Sequence, residues 1–322
     1  MIPTRQFIRL AIAAIIALVG WWMAAAAGSI TETAAHRSAV SSQEQDGPTG
    51  IQRIGKIQDK RILECSGMAP STKNPNAFWV HNDSGAAAEL FLINHNGKTI
   101  MKVELEGVNH VDFEDIALAE PPDMERQAFL IIADIGDNRK RRDSLVLHVI
   151  GEPEFSGTTT MAIRPRVTIQ LNFDDGRKHN CEGLAYDPIE NQFVIATKLT
   201  SKEILSKQRA QLFTIAADFK TKRQAVTAKS MGKIPGGMIT GLDISRDGKQ
   251  IVAQNYLAAF YWGRVGSLED SLLEQMKTVP LPLQRQSESI CFSSDGKTML
   301  TTSEGKFPPI YEIDVPAESS KH

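Results

Sequence analysis

An all-β fold, a five-bladed β-propeller, is what this sequence predicts, and three observations carry the prediction. Between residues 50 and 316 the chain is a succession of short runs rich in Val, Ile, Phe and Thr, each bounded by Gly, Asn, Asp or Pro. That is the pattern of strands joined by turns. A motif recurs: "CSGMAPS" from Cys65, "FEDIALA" from Phe113, "CEGLAYD" from Cys181, "ITGLDIS" from Ile239 and "SESICFS" from Ser287. Its spacing of about 48 to 68 residues suits propeller blades with insertions. Finally, the fifth unit is one strand short, and "IQRIGKIQ" at residues 51–58 stands ready to supply it. Closing the last blade with the first strand removes open sheet edges.

Each unit follows the same order. In four units the motif strand leads into a tight turn such as "DPIEN", "SRDGK" or "SSDGK", and in the second into the longer "EPPDMERQ"; Asp-Gly between apolar runs is a hairpin signal. A second strand ends in a polar cluster: "HNDSG", "DIGDN", "ATK", "QNY" or "SEG". Two further strands complete the unit; in the second these are "LVLHVIG" and "RVTIQLNF". Only "VGSLEDSLLEQMK", residues 265–277, has helical spacing.

The N-terminus stands apart from this repeat. Arg5 and Arg9 precede an uncharged run from Leu10 to Gly28 that ends in "AAAAG". This reads as a secretory signal (residues 1–28) or, given the length of the run, an uncleaved signal anchor. Either places the body outside the cytoplasm, periplasmic or secreted, with membrane contact only through this segment. Residues 29–49 are polar and aperiodic, a linker, and residues 317–322 form a loose tail. The net charge of −2 gives no basic excess for nucleic acid. Three cysteines, Cys65, Cys181 and Cys291, cannot form a fully paired framework and read as small buried residues.

In a propeller the first strand of each blade lines the central channel. The second motif residues, Ser66, Glu114, Glu182, Thr240 and Glu288, therefore fall at one height around the axis. Three carboxylates in such a ring repel one another, and a hard cation removes the conflict. Six to eight oxygen ligands in flexible geometry suit Ca²⁺ better than Mg²⁺. No His or Cys ring favours zinc or copper.

The ordered set resembles the calcium-activated nucleotidases, or apyrases, five-bladed propellers whose channel calcium is held by Ser, Glu, Glu, Ser and Glu from successive blades. Here the order is Ser66, Glu114, Glu182, Thr240, Glu288. The family's acidic segment ending in Thr-Gly is matched by "HNDSG". The likeness spans residues 51–316 in architecture and lies in the five-position pattern, not in continuous identity. Where the family has Gly-Lys-Glu in the second blade, this chain has "DIGDNRKRR", with Asp137 and Asn138 in place of Lys and Glu. That departure bears on nucleotide specificity, not on the metal ring. The chain is also similar to exported bacterial propellers with "DWEDIA" and "DIGDN" segments. Six-bladed phytase-like and lactonase-like propellers share the channel calcium, so six blades is the alternative architecture.

The resemblance implies a Ca²⁺-dependent hydrolase of phosphoesters or phosphoanhydrides, with Asp83 or Asp137 as the base that activates water. Asn82, Asn138, Arg139, Lys198, Asn255 and Arg285 would contact the phosphorylated small molecule. The other class left open is a non-catalytic propeller whose calcium is structural and which binds a ligand or a protein partner. No nucleophile elbow, Walker loop or HExxH is present.

Overall fold

Twenty-one strands and two short helices make up the described residues, 50–317, of the computed structural model. The expected signal or anchor, the linker and the last five residues of the chain lie outside the described residues. The expected order of strands is present. β1 (Ile51–Lys56) pairs with β21 (Pro309–Asp314), which continues to β20 (Thr298–Ser303) and β19 (Ser287–Phe292). The N-terminal strand thus completes a four-stranded antiparallel sheet with the C-terminal three.

The remaining strands fall into similar groups. β2 (Cys65–Pro70), β3 (Ala77–Asn82), β4 (Glu89–Asn94) and β5 (Thr99–Leu105) form a meander, to which β9 (Thr160–Ile163) adds in parallel. β6 (Phe113–Ala119), β7 (Phe129–Asp134), β8 (Leu145–Gly151) and β10 (Val167–Phe173) form the next group. It is fused edge to edge with β11 (Cys181–Asp187), β12 (Gln192–Thr197), β13 (Ala210–Ala216) and β14 (Arg223–Ile234). The fusion is a parallel β10–β14 pairing, which makes one eight-stranded sheet. β15 (Gly241–Ile244), β16 (Gln250–Gln254), β17 (Ala258–Gly263) and β18 (Lys277–Pro280) complete the set.

The first strands touch in a closed sequence: β2, β6, β11, β15, β19 and back to β2. The fold is all-β and propeller-like. Its core is made of apolar layers between successive groups. Trp79 and Leu92 meet Phe113 and Ile132 in one layer, and Phe213 and Ile195 meet Ile131 and Leu147 in the next. Trp262 shares a layer with Ala196, Tyr261 with Phe292, and Cys291 with Val80, which closes the circuit. This explains the sequence patterns. Inner strands such as FLIIAD are buried on both faces and read as continuous apolar runs. Outer strands such as β10 alternate buried and exposed residues.

The helix expected within residues 265–277 is present as α2 (Leu268–Leu273), capped by Ser267. A second, α1 (Ser201–Leu205), follows β12 and carries a Thr200–Glu203 capping box. All sheets and core layers are drawn from residues within the compact unit Asp46–His322.

Candidate metal centre

The recurring second motif residues share a backbone feature. In the first hairpin of four groups the register shifts between Cys65 and Gly67, Phe113 and Asp115, Cys181 and Gly183, and Ser287 and Ser289. The residue skipped each time is Ser66, Glu114, Glu182 or Glu288. Thr240 stands just before β15 and donates its N–H to Gln254 O at 2.9 Å, beside the Gly241–Gln254 pair. A β-bulge re-aims the side chain of its extra residue. Repetition of that irregularity is why these positions are equivalent. All five side chains are buried.

The next residue is small where the neighbouring inner strand comes close. A Cβ on Gly67 would lie 2.4 Å from His81 Nε2 and 2.8 Å from Ile116 N. Asp115 is the exception, and its carboxylate fills the space it enters. Its oxygens accept the N–H groups of Ile116 (2.9 Å), Leu184 (2.8 Å) and Leu242 (3.3 Å), on β6, β11 and β15. Each donor lies two residues after Glu114, Glu182 or Thr240. One buried acid therefore ties together the strands that carry three of the five ring positions.

The carboxylates converge in two overlapping groups. Oxygens of Asp83, Asp112 and Glu114 lie within 4.8 Å of one another, and so do oxygens of Asp83, Glu288 and Glu304. The backbone makes room for them at Gly136, where a Cβ would lie 2.1 Å from Glu114 Oε1 and 2.3 Å from Asp112 Oδ2. Burial, followed by the charges of Glu182 and Asp83, pushes Glu114 well above the ordinary carboxylate range. Burial likewise raises Glu288 and Asp83, each to about 8, and raises Asp112 and Glu304.

Glu182 is handled differently. Its carboxylate accepts from Lys198 Nζ and, at 3.0 Å, from Asn180 Nδ2. Lys198 also lies 4.0 Å from Glu288 and 5.2 Å from the centre of the Tyr256 ring. Burial opposes the ammonium charge, but Glu182, Tyr256 and Glu288 outweigh it and hold Lys198 protonated. Tyr256 OH donates to Glu288 Oε1 at 3.3 Å. Lys198 thus contacts the Glu182 and Glu288 half of the ring directly, while Lys198 and Arg142 act on Glu114 and Asp112 only through space.

The donor set fits a hard cation. It is all oxygen and it is converging, and its mutual repulsion is relieved only in part by Lys198, by Arg142 and by the protons that burial favours. Asp83 would hold an ion together with Asp112 and Glu114, or together with Glu288 and Glu304. Ser66 Oγ donates to Glu114 O at 2.7 Å and Thr240 Oγ1 to Ser287 O at 2.9 Å. Each hydroxyl therefore bonds the backbone at the start of the next inner strand and keeps lone pairs free as an acceptor.

The other expected residues are placed as follows. Asp83 is at the centre of both acid groups. Asp137 serves its own loop: its N–H donates to Asn180 Oδ1 at 2.6 Å and its Oδ2 accepts Arg142 N–H at 2.8 Å. Asn82 is occupied with the 61–64 segment, accepting from Leu63 and Glu64 N–H and donating to Arg61 O. Asn255 organises its turn, accepting from Leu257 and Ala258 N–H. Asn138 and Arg139 are exposed and line a shallow groove with Lys140, Lys202 and Gln208. That groove is linked to the ring through Asn180, whose Nδ2 also reaches Asn138 Oδ1 at 3.4 Å. Arg285 is exposed. The three cysteines are buried free thiols.

Sequence reasoning missed Asp112 and Glu304 as members of the acid groups, Asp115 as the tie, and Gly136 as the clearance. Asp112 and Glu304 were visible as polar residues beside strand ends. Nothing in the sequence distinguished them from turn formers.

The fold and site together define an all-β, propeller-like protein with an acidic centre at one end of its inner strands. No family model matches the chain, and no curated protein matches it. Among solved structures it is similar to a chain of a nidogen/laminin complex, at 14% identity over 75% of this chain and 73% of that one, with a TM-score of 0.41.

Proposed function

We propose that this chain is an exported, calcium-binding propeller of five blades whose axial cation receives an anionic, phosphate-bearing small molecule. The five-blade reading is supported by the five antiparallel groups and the closed contact of their first strands. The observation that carries the cation is the convergence of carboxylate oxygens in two groups that share Asp83, one with Asp112 and Glu114 and one with Glu288 and Glu304, with Lys198 4.0 Å from Glu288. A bound Ca²⁺ would supply positive charge and Lewis acidity toward a phosphoryl oxygen. The chain's own residues do the rest. Lys198 sits beside the acids with its ammonium held in place, suited to an anionic ligand above the ring. Burial raises Asp83 to about 8, so it carries its proton at neutral pH in the cation-free protein; it would act as a base toward water only where a bound cation holds it ionised.

Hydrolysis of a phosphoester or phosphoanhydride is the reaction such a site supports. The bond of Asp137 to its own loop favours a second reading, a propeller that binds its ligand without turnover. The two separate in one assay on residues 46–322. Phosphate release from nucleotides and from p-nitrophenyl phosphate is followed with Ca²⁺ and with chelator. Release that requires Ca²⁺ and is lost in Asp83→Asn supports the hydrolase. Ca²⁺-dependent binding of inorganic phosphate without release supports the second reading, and neither effect rejects both.

A further inference from the structure

Three of the eleven exposed large apolar side chains among the described residues lie on neighbouring loops. Strand alternation puts the β1–β2, β18–β19 and β20–β21 loops at the same end of the molecule as the acidic centre. These loops are stitched together: Gly305 N–H donates to Leu63 O at 2.8 Å and Glu304 N–H to Gln286 O at 3.1 Å. Asp83 N–H donates to Glu64 O at 2.8 Å, which ties the corner to the acid groups. From it project Leu283, Leu63 and Phe307, which are 92%, 43% and 45% exposed. Exposed large apolar side chains gathered on one face mark an interaction surface.

The charges on the same loops give that surface a sign. Lys60, Arg285 and Lys306 are exposed. Of the acids there, Asp59 is paired with Arg61 and Glu304 belongs to the axial group, which leaves Glu64 against three cations. The chain as a whole carries −2, so this corner departs from the average. Cations interleaved with exposed Leu and Phe match an anionic lipid surface, where ammonium and guanidinium groups meet head groups and the apolar tips enter the acyl boundary. No helix among the described residues is long and apolar enough to cross a membrane, so the contact is peripheral.

We infer that the corner formed by Leu63, Leu283 and Phe307 with Lys60, Arg285 and Lys306 docks the propeller onto an anionic bilayer. The docking is independent of any contact through the N-terminal segment. It does not rest on the cation reading.

The test is vesicle co-sedimentation of residues 46–322, a unit that contains all its own sheets and core layers, in chelator. Phosphatidylglycerol vesicles are expected to sediment the protein at low salt, at least tenfold more than phosphatidylcholine vesicles, with release at high salt. The triple variants Leu63→Ser/Leu283→Ser/Phe307→Ser and Lys60→Glu/Arg285→Glu/Lys306→Glu should each lower binding at least tenfold. All six side chains are exposed, so the unfolding midpoint is expected to hold, which separates lost docking from lost folding. Absence of binding to phosphatidylglycerol, equal binding to both lipids, or binding unchanged in either triple variant overturns the inference. The first of these outcomes would leave the corner to a protein partner.

Discussion

At Gly136 a single hydrogen in place of a methyl group lets two acids approach the backbone. Gly136→Ala puts a Cβ into Glu114 Oε1 and Asp112 Oδ2. The expected result is a loss of about 1–3 kcal/mol in a denaturant titration, typical of overpacking, together with weaker cation binding. A variant as stable as the parent would show that the acids have room to spare. Glu114→Gln acts in the opposite sense on the cation-free protein. It removes a carboxyl that must take up a proton on folding above about pH 4.5, so at neutral pH the urea midpoint in chelator should rise while cation affinity falls at least tenfold. A fall in both would mean that Glu114 serves the fold through an attractive contact.

At the scale of elements, Asp115 joins three inner strands. Asp115→Ala leaves the Leu184 and Leu242 N–H groups buried without an acceptor. At about 1–3 kcal/mol for each unsatisfied group, the variant should lose about 3 kcal/mol or more, with hydrogen exchange at those two amides accelerated first. Unchanged protection there would contradict the tie. Much at this scale was legible in sequence. The repeated motif placed the inner strands, the Asp-Gly turns placed the hairpins, and the missing fourth strand of the last unit pointed to residues 51–58, where β1 pairs with β21. The parallel β10–β14 pairing was not legible, because it joins strands from two groups and has no local pattern. Nor was the role of Asp137 legible. Asp in a Gly-Asp-Asn turn looks the same whether it faces a ligand or, as here, its own loop.

Across the whole molecule, the acidic centre makes stability depend on pH. Burial raises Glu288 from an ordinary 4.5 to about 8 and Glu182 to about 7. The folded state therefore holds protons that the unfolded chain releases above about pH 4.5. The stabilisation is complete below that value and is lost as pH rises toward 8. In chelator the urea midpoint should accordingly fall between pH 5 and pH 8. Calcium should flatten or reverse that slope, since the ion replaces the protons, and equal slopes with and without it would separate these acids from cation binding.

The most direct test of the axial cation is calorimetric titration of Ca²⁺ into residues 46–322 at pH 7.5, beside the Glu114→Gln and Glu304→Gln variants. One ion bound per chain, with proton release and at least a tenfold loss of affinity in each variant, is the predicted result. An absence of heat and of proton release in the parent protein, with the fold intact, would contradict the assignment of these acids to a metal centre.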